Sequence, residues 1–446
     1  MQDTRPDRQK AKAWEMERRS CKTVDQPLIH LHNSGFMGVG ISGGTFGVPK
    51  SNEKIDQAKA AKRKLEDIEN ESNEDETGSD ENENVSNVPA SCNNDPASCN
   101  NDPEELEDDE NIEIDLKSVA DELRRAPTVE WNVGAVNVTE RFRLYQREVL
   151  QKAKKEGLTY NSIYEVLALS SIIVLCWPCP YPMFTNQEWL EISKTNPYTI
   201  NEPPLLPEIS HHLWDAARKH LAGKDALLDG EESGLSRTIA CLFNQLYEGL
   251  PMVAPLKMSE DEHCYIFLHP ITRPFFLGSQ KEYKLLLNRA TAGSNQRPDL
   301  ACVVDNIPIL NSEIKPLGYT LLQQRKDKLK VHLRARKSIN QQLQTKGGPG
   351  EAAMFTNMGT LMESFFMDLK YDGLYRSWPF LTTRLVIDKT TIPLAEFAIS
   401  HVVALEERVG KIVESYKYRS NKFTPPSQMN FMRELPDSPQ LKLLLQ

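Results

Sequence analysis

Three charges mark the ends of two apolar runs in the stretch SNQRPDLACVVDNIPILNSEIKP, residues 294–316: Asp299 heads one run, and Glu313 and Lys315 close the next. Two apart on an extended chain, Glu313 and Lys315 share a face, with Ile314 on the other. The face of Asp299 depends on loop length. A two-residue turn at Asp305-Asn306 pairs Asp299 with Ser312 and sets Asp299 and Glu313 on opposite faces. A three-residue connection over 305–307 pairs Asp299 directly with Glu313. Both registers are open on sequence alone. In the second, two carboxylates meet with about 5 Å between backbones and an ammonium stands beside them. Such a pair suits a hard cation such as Mg²⁺, which takes oxygen ligands. The ion polarises a phosphoryl oxygen and acidifies a water, and a lysine orients that water or stabilises developing negative charge. Those are the parts of metal-assisted phosphodiester hydrolysis.

Several elements must position these charges. SEDEHCYIFLHPI, 259–271, reads as a helix opened by a capping box, Ser259 with Glu262. KEYKLLLNRAT, 281–291, and the two runs above read as strands. RKDKLKVHLRARKSINQQLQ, 325–344, reads as a basic helix ended by Gly347-Gly348. AAMFTNMGTLMESFFMDLK follows, then YDGLYRSW as a turn, PFLTTRLVID as a strand, and a long amphipathic helix over 392–417. The order α, β, β, β, α, β, β, β, α predicts a mixed α/β domain.

Pro298-Asp299, a 13-residue gap and Glu313-Ile314-Lys315 resemble the PD-(D/E)XK nuclease superfamily. The resemblance implies a restriction-endonuclease-like mixed sheet flanked by helices. It also implies that Asp299 and Glu313 bind Mg²⁺ and Lys315 assists the attacking water. Members often carry an acid on the first helix; Glu262 matches best here, then Glu260. The phrases RPDLACVV, SEIKP, MGTLMESFFMDLKYDGLYR and LALSSIIVL are further similar to a group of uncharacterised proteins expanded in early-diverging fungi. One departure is plain. The QxxxY motif of exonuclease-like members is missing, since Gln324 is followed four residues on by Lys328. An inactive fold of this kind, acting as an interaction or nucleic-acid-binding module, is the alternative expectation.

Arg325, Lys326, Lys328, Lys330, Arg334, Arg336 and Lys337, with one acid among them, spread round the basic helix. Placed after the metal strand, that helix is expected to lie along a phosphate backbone; a solvated helix is the plainer reading. Cys176-Trp-Pro-Cys179 has redox or half-zinc spacing, but no second pair completes a zinc site, and buried structural cysteines fit better. His211, His212, His220, His263 and His269 form no ligand pattern. Neither a Walker A loop, a dinucleotide-binding glycine fingerprint nor GxSxG occurs.

At 446 residues the chain allows two or three domains. Its net charge of −10 is uneven: Glu66 to Asp115 holds 20 acids and no Lys or Arg, leaving 43 acids against 53 bases elsewhere. A basic body of this sort tolerates polyanionic partners, and the acidic run competes with them. Residues 1–115 read as a disordered acidic arm, with a Gly-rich patch at 35–47, a duplicated PASCNND and an AKRK cluster at 61–64 resembling a nuclear signal. Residues 116–250 read as a helical region, a platform for substrate or protein partners. Residues 251–418 read as the nuclease-like domain and 419–446 as a tail ending in LKLLL. VLALSSIIVLC, 166–176, reads as a buried helix too short to cross a bilayer. Scattered cysteines and the lack of an apolar leader point to a soluble protein of the cytoplasm or nucleus, without membrane contact.

Overall fold

A seven-stranded mixed sheet carries the fold. The computed structural model describes residues 111, 112, 114–229, 234–278, 280–289, 297–346, 348–420 and 427–433. Residues 1–110 of the acidic arm, with the AKRK cluster, and the LKLLL end lie outside them. In chain order the sheet strands are β1 (Ile172–Val174), β2 (Lys284–Leu287), β3 (Leu300–Val304), β4 (Ile307–Lys315), β5 (Glu351–Met358), β6 (Leu361–Tyr371) and β7 (Leu374–Arg384). Their spatial order is β1-β7-β6-β5-β4-β3-β2. The β1/β7 and β4/β5 pairs are parallel, and the rest are antiparallel.

The helices are α1 (Leu116–Arg124), α2 (Val138–Glu156), α3 (Ile163–Leu169), α4 (Asn186–Ser193), α5 (Pro207–Leu221), α6 (Leu235–Gly249), α7 (Glu260–His263), α8 (His269–Phe276), α9 (Leu321–Lys346) and α10 (Ala395–Ser420). A π-helical turn, Cys264–Leu268, joins α7 to α8 as one helical segment. Thus the expected α, β, β, β, α, β, β, β, α order is present from 260 to 420.

Two long helices cover the sheet. Ser364 Oγ and His401 Nε2 of α10 are hydrogen-bonded at 2.7 Å, while the next residue, Phe365, meets the ring of His332 on α9. Successive strand side chains point to opposite faces, so α9 and α10 lie on opposite sides. That double cover explains why β3, β4 and β5 are buried almost without a break rather than on alternate residues. Thr320 and Gln323 cap α9 reciprocally, backbone to side chain, at 3.0 and 3.2 Å.

Three expectations are corrected. VLALSSIIVLC is not one helix: α3 stops at Leu169, Ser171 takes φ +59°, and Ile172–Val174 becomes β1 at the sheet edge. The β-branched run Ile-Ile-Val prefers this fully buried extended position. In consequence the helical region is not separate from the sheet that follows it. Finally, YDGLYRSW is mostly strand. The β6–β7 turn is tight, with Tyr371 paired to Leu374 and Gly373 at φ +69°, so β7 begins at Leu374.

Candidate active site

The β3–β4 hairpin decides the site. Its turn is the two-residue Asp305-Asn306, with Val304 paired to Ile307. Both turn residues take positive φ, +49° and +68°, which suits Asp and Asn and matches strand twist. By itself this turn sends Asp299 and Glu313 to opposite faces. A β-bulge reverses the outcome. Val303 pairs with Pro308, but Cys302 pairs with Leu310, leaving Ile309 as the extra residue. Past the bulge Leu300 pairs with Ser312, and one further step sets Asp299 level with Glu313. The Asp299 N–H donates to the Ser312 carbonyl at 3.3 Å, and the Asp299 carboxylate accepts from the Ile314 N–H at 2.6 Å.

Around this hairpin end lies a charge cluster. The Lys315 ammonium donates to Glu260 Oε2 at 3.0 Å and to the Ile314 carbonyl at 2.8 Å, and lies 3.7 Å from Asp327 Oδ2. Glu313 is buried and accepts from Arg334 of α9, with Lys330 at 3.9 Å. Lys330 also donates to Asp327 Oδ1 at 2.6 Å. The second Asp327 oxygen is buried and accepts no hydrogen bond. Four carboxylates, Glu260, Asp299, Glu313 and Asp327, thus meet three cations, Lys315, Lys330 and Arg334.

This crowding shifts the titrations. Burial raises the Asp299 carboxyl to about 7, and neighbouring Glu313 and Glu260 push the same way. Burial also raises Glu313 against the pull of Arg334. For Lys315 burial opposes the charged form, but Asp327, Asp299 and Glu260 outweigh it and hold the ammonium above the ordinary lysine value.

The sequence left two registers open for Asp299 and Glu313; the bulge, not a three-residue turn, brings Asp299, Glu313 and Lys315 to one end of the hairpin. Of the two helix acids considered, Glu262 first and Glu260 second, Glu262 does not reach the cluster. The Glu262 carboxylate is spent on the cap, accepting from the Ser259 N–H and hydroxyl at 2.9 and 2.8 Å. Glu260, two residues earlier, is the acid that reaches the cluster. Asp327 was passed over, although it is the single acid within the basic run 325–337.

The basic helix is also corrected. Its cations do not form a solvent-facing stripe. Arg334 and Arg336 are buried; Arg336 donates to the Ser170 and Arg433 carbonyls at 3.1 and 3.0 Å. Lys326 lies over the Tyr160 ring, and Lys328 lies over Phe365 near Glu363. Arg325 bonds Asn161. Lys337 is half-buried. These side chains tie α9 to the sheet and to the region before it.

The donor set suits a hard cation in kind: carboxylate oxygens, more negative than positive charge, and an Asp299 whose ionisation is opposed by burial and by the neighbouring Glu313 and Glu260. Among the described residues, no three His, Cys, Asp or Glu side chains are grouped to hold a metal ion. Glu313 is engaged by Arg334 and Glu260 by Lys315. Beside Lys315 and Glu260 opens a pocket of about 380 Å³, further lined by Met258, Leu317 and Tyr319. No family model, curated protein or solved structure matches the chain. Among the described residues no helix is long and apolar enough to cross a membrane.

Proposed function

We propose that the chain is a divalent-metal-dependent phosphodiesterase acting on nucleic acid, built on a restriction-endonuclease-like core. The observation that carries this reading is the bulge at Ile309, which sets Asp299 level with Glu313 on the face where Lys315 and Glu260 border an open pocket. Asp299 and Glu313 would hold Mg²⁺, with Glu260 beside them in place of Glu262. When bound, the ion supplies Lewis acidity toward a phosphoryl oxygen. Lys315, kept charged by its acids, is suited to orient an attacking water and to offset negative charge growing on the phosphate. Intracellular action, in nucleus or cytoplasm, belongs to the same proposal.

A second reading has its own support. The Arg334–Glu313 ion pair occupies one of the two metal-binding acids, as expected of a silent nuclease fold that binds nucleic acid or protein. Incubating wild type, Asp299→Ala and Lys315→Ala with DNA and RNA in Mg²⁺ separates the two. Cleavage by wild type with a loss of about 10²–10³ in Lys315→Ala supports hydrolysis. Equal behaviour of all three proteins overturns it.

A further inference from the structure

The pocket beside Lys315 carries a statement about substrate class, and it rests on the hydrolytic reading above. Its volume, about 380 Å³, falls at the small end of the range of compact ligand sites. That is room for one nucleotide, whereas a duplex would offer such a mouth only its outer backbone. One wall is the catalytic candidate itself, Lys315 with Glu260. The others come from two short segments, 257–258 and 316–323, that meet closely. A Cβ placed on Gly318 would stand 3.1 Å from the Lys257 side chain.

The lining matches the parts of a nucleotide. Tyr319, Leu317 and Met258 provide an aromatic and apolar surface for a base. Tyr319 is braced from behind, since a Cβ on Gly359 would come within 2.9 Å of its ring, and Gly359 holds φ +56°. Gln323 accepts from the Thr320 N–H through its carbonyl oxygen, which leaves its amide N–H groups to donate to a base edge. Lys257 is exposed and lines the pocket. It thus offers a cation at the pocket.

We infer that this pocket receives one unpaired nucleotide of a single-stranded nucleic acid and so sets the phosphate next to it at Lys315. Single strands can turn a base into such a site freely, whereas a duplex must first break a stack and a pair. Preference for single strands follows.

Fluorescence anisotropy of the full chain with a labelled single-stranded DNA, the same sequence as RNA, and a blunt duplex tests this without requiring cleavage. Single strands are expected to bind about tenfold or more tightly than duplex, as the loss of one base stack would dictate. Tyr319→Ala is expected to erase most of that margin while leaving duplex binding unchanged. Lys257→Glu, at an exposed position that the fold does not use, is expected to weaken single-strand binding as well. The DNA and RNA arms identify the sugar. Equal or tighter duplex binding overturns the pocket, as does a Lys257→Glu protein that binds single strands as wild type does. Strand-selective binding without any cleavage keeps the pocket and removes the hydrolytic reading. Cleavage confined to duplex does the reverse.

Discussion

Asp299 concentrates the physics of the site. Its carboxyl titrates near 7 in the folded chain, against about 3.9 in an unfolded one. The folded state therefore binds the proton more tightly, and this group lowers stability as pH rises from about 4 to about 7. Asp299→Asn removes that titration, so its thermal stability is expected to fall less over this window than that of wild type. An unchanged slope in unfolding curves across pH would contradict the assignment. Any activity requiring the carboxylate should rise toward and past pH 7 in wild type. Part of this scale was legible: the residue types and spacing of Asp299, Glu313 and Lys315 mark the charges that the hairpin end gathers. What was hidden was which acid of the EDE triplet turns inward, because capping and cluster roles compete for Glu260 and Glu262. The competition is settled by Ser259, whose N–H and hydroxyl claim the third residue.

Two elements, the bulged hairpin and α9, bring the charges together. The loop Asp305-Asn306 was readable as a tight turn, but the bulge at Ile309 was not. Its one-residue slip depends on how β4 fits between β3 and β5, not on a local residue preference. α9 was readable as a helix, yet its cations looked solvated. Lys330 and Arg334 point inward because the sheet end holds buried acids that need counter-charge. The Arg334–Glu313 pair is the sharpest instance, with both side chains almost fully enclosed. Arg334→Met leaves Glu313 buried, with Lys330 at 3.9 Å. It is expected to cost about 3–5 kcal/mol in chemical denaturation. Adding Glu313→Leu is expected to restore most of the loss. A single substitution costing under about 1 kcal/mol would mean that the pair is screened as a surface bridge would be.

At the scale of the molecule, the described residues from 114 to 249 are part of the same body as the sheet. β1 pairs with β7 through Tyr375, Arg376 and Ser377. Ile172, Ile173 and Val174 are fully enclosed, each contributing about 1.5–3 kcal/mol by burial. Arg376 is sandwiched by Trp131, Tyr371 and Trp378 and paired to buried Asp368, so residue 131 helps hold β6 and β7. A fragment restricted to 251–418 is therefore expected not to fold cooperatively, whereas one starting near 111 does. Circular dichroism melts of the two fragments check this, and a sharp transition in the shorter one would contradict it. Sequence composition marked a boundary near 250 because helices dominate before it and strands after it. A three-residue edge strand is too short for periodicity to register.

The central claim is that Asp299, Glu313 and Lys315 act together on a phosphodiester through a divalent ion. The most direct measurement is single-turnover cleavage of labelled single-stranded and duplex oligonucleotides by the full chain, with Mg²⁺ or with chelator, beside Asp299→Ala. Cleavage is expected only from wild type with Mg²⁺, and the variant should be at least about 10²-fold slower while melting as a folded protein. Cleavage that survives chelation or the loss of Asp299 would contradict the claim, as would a wild-type protein that cuts no strand with Mg²⁺ present.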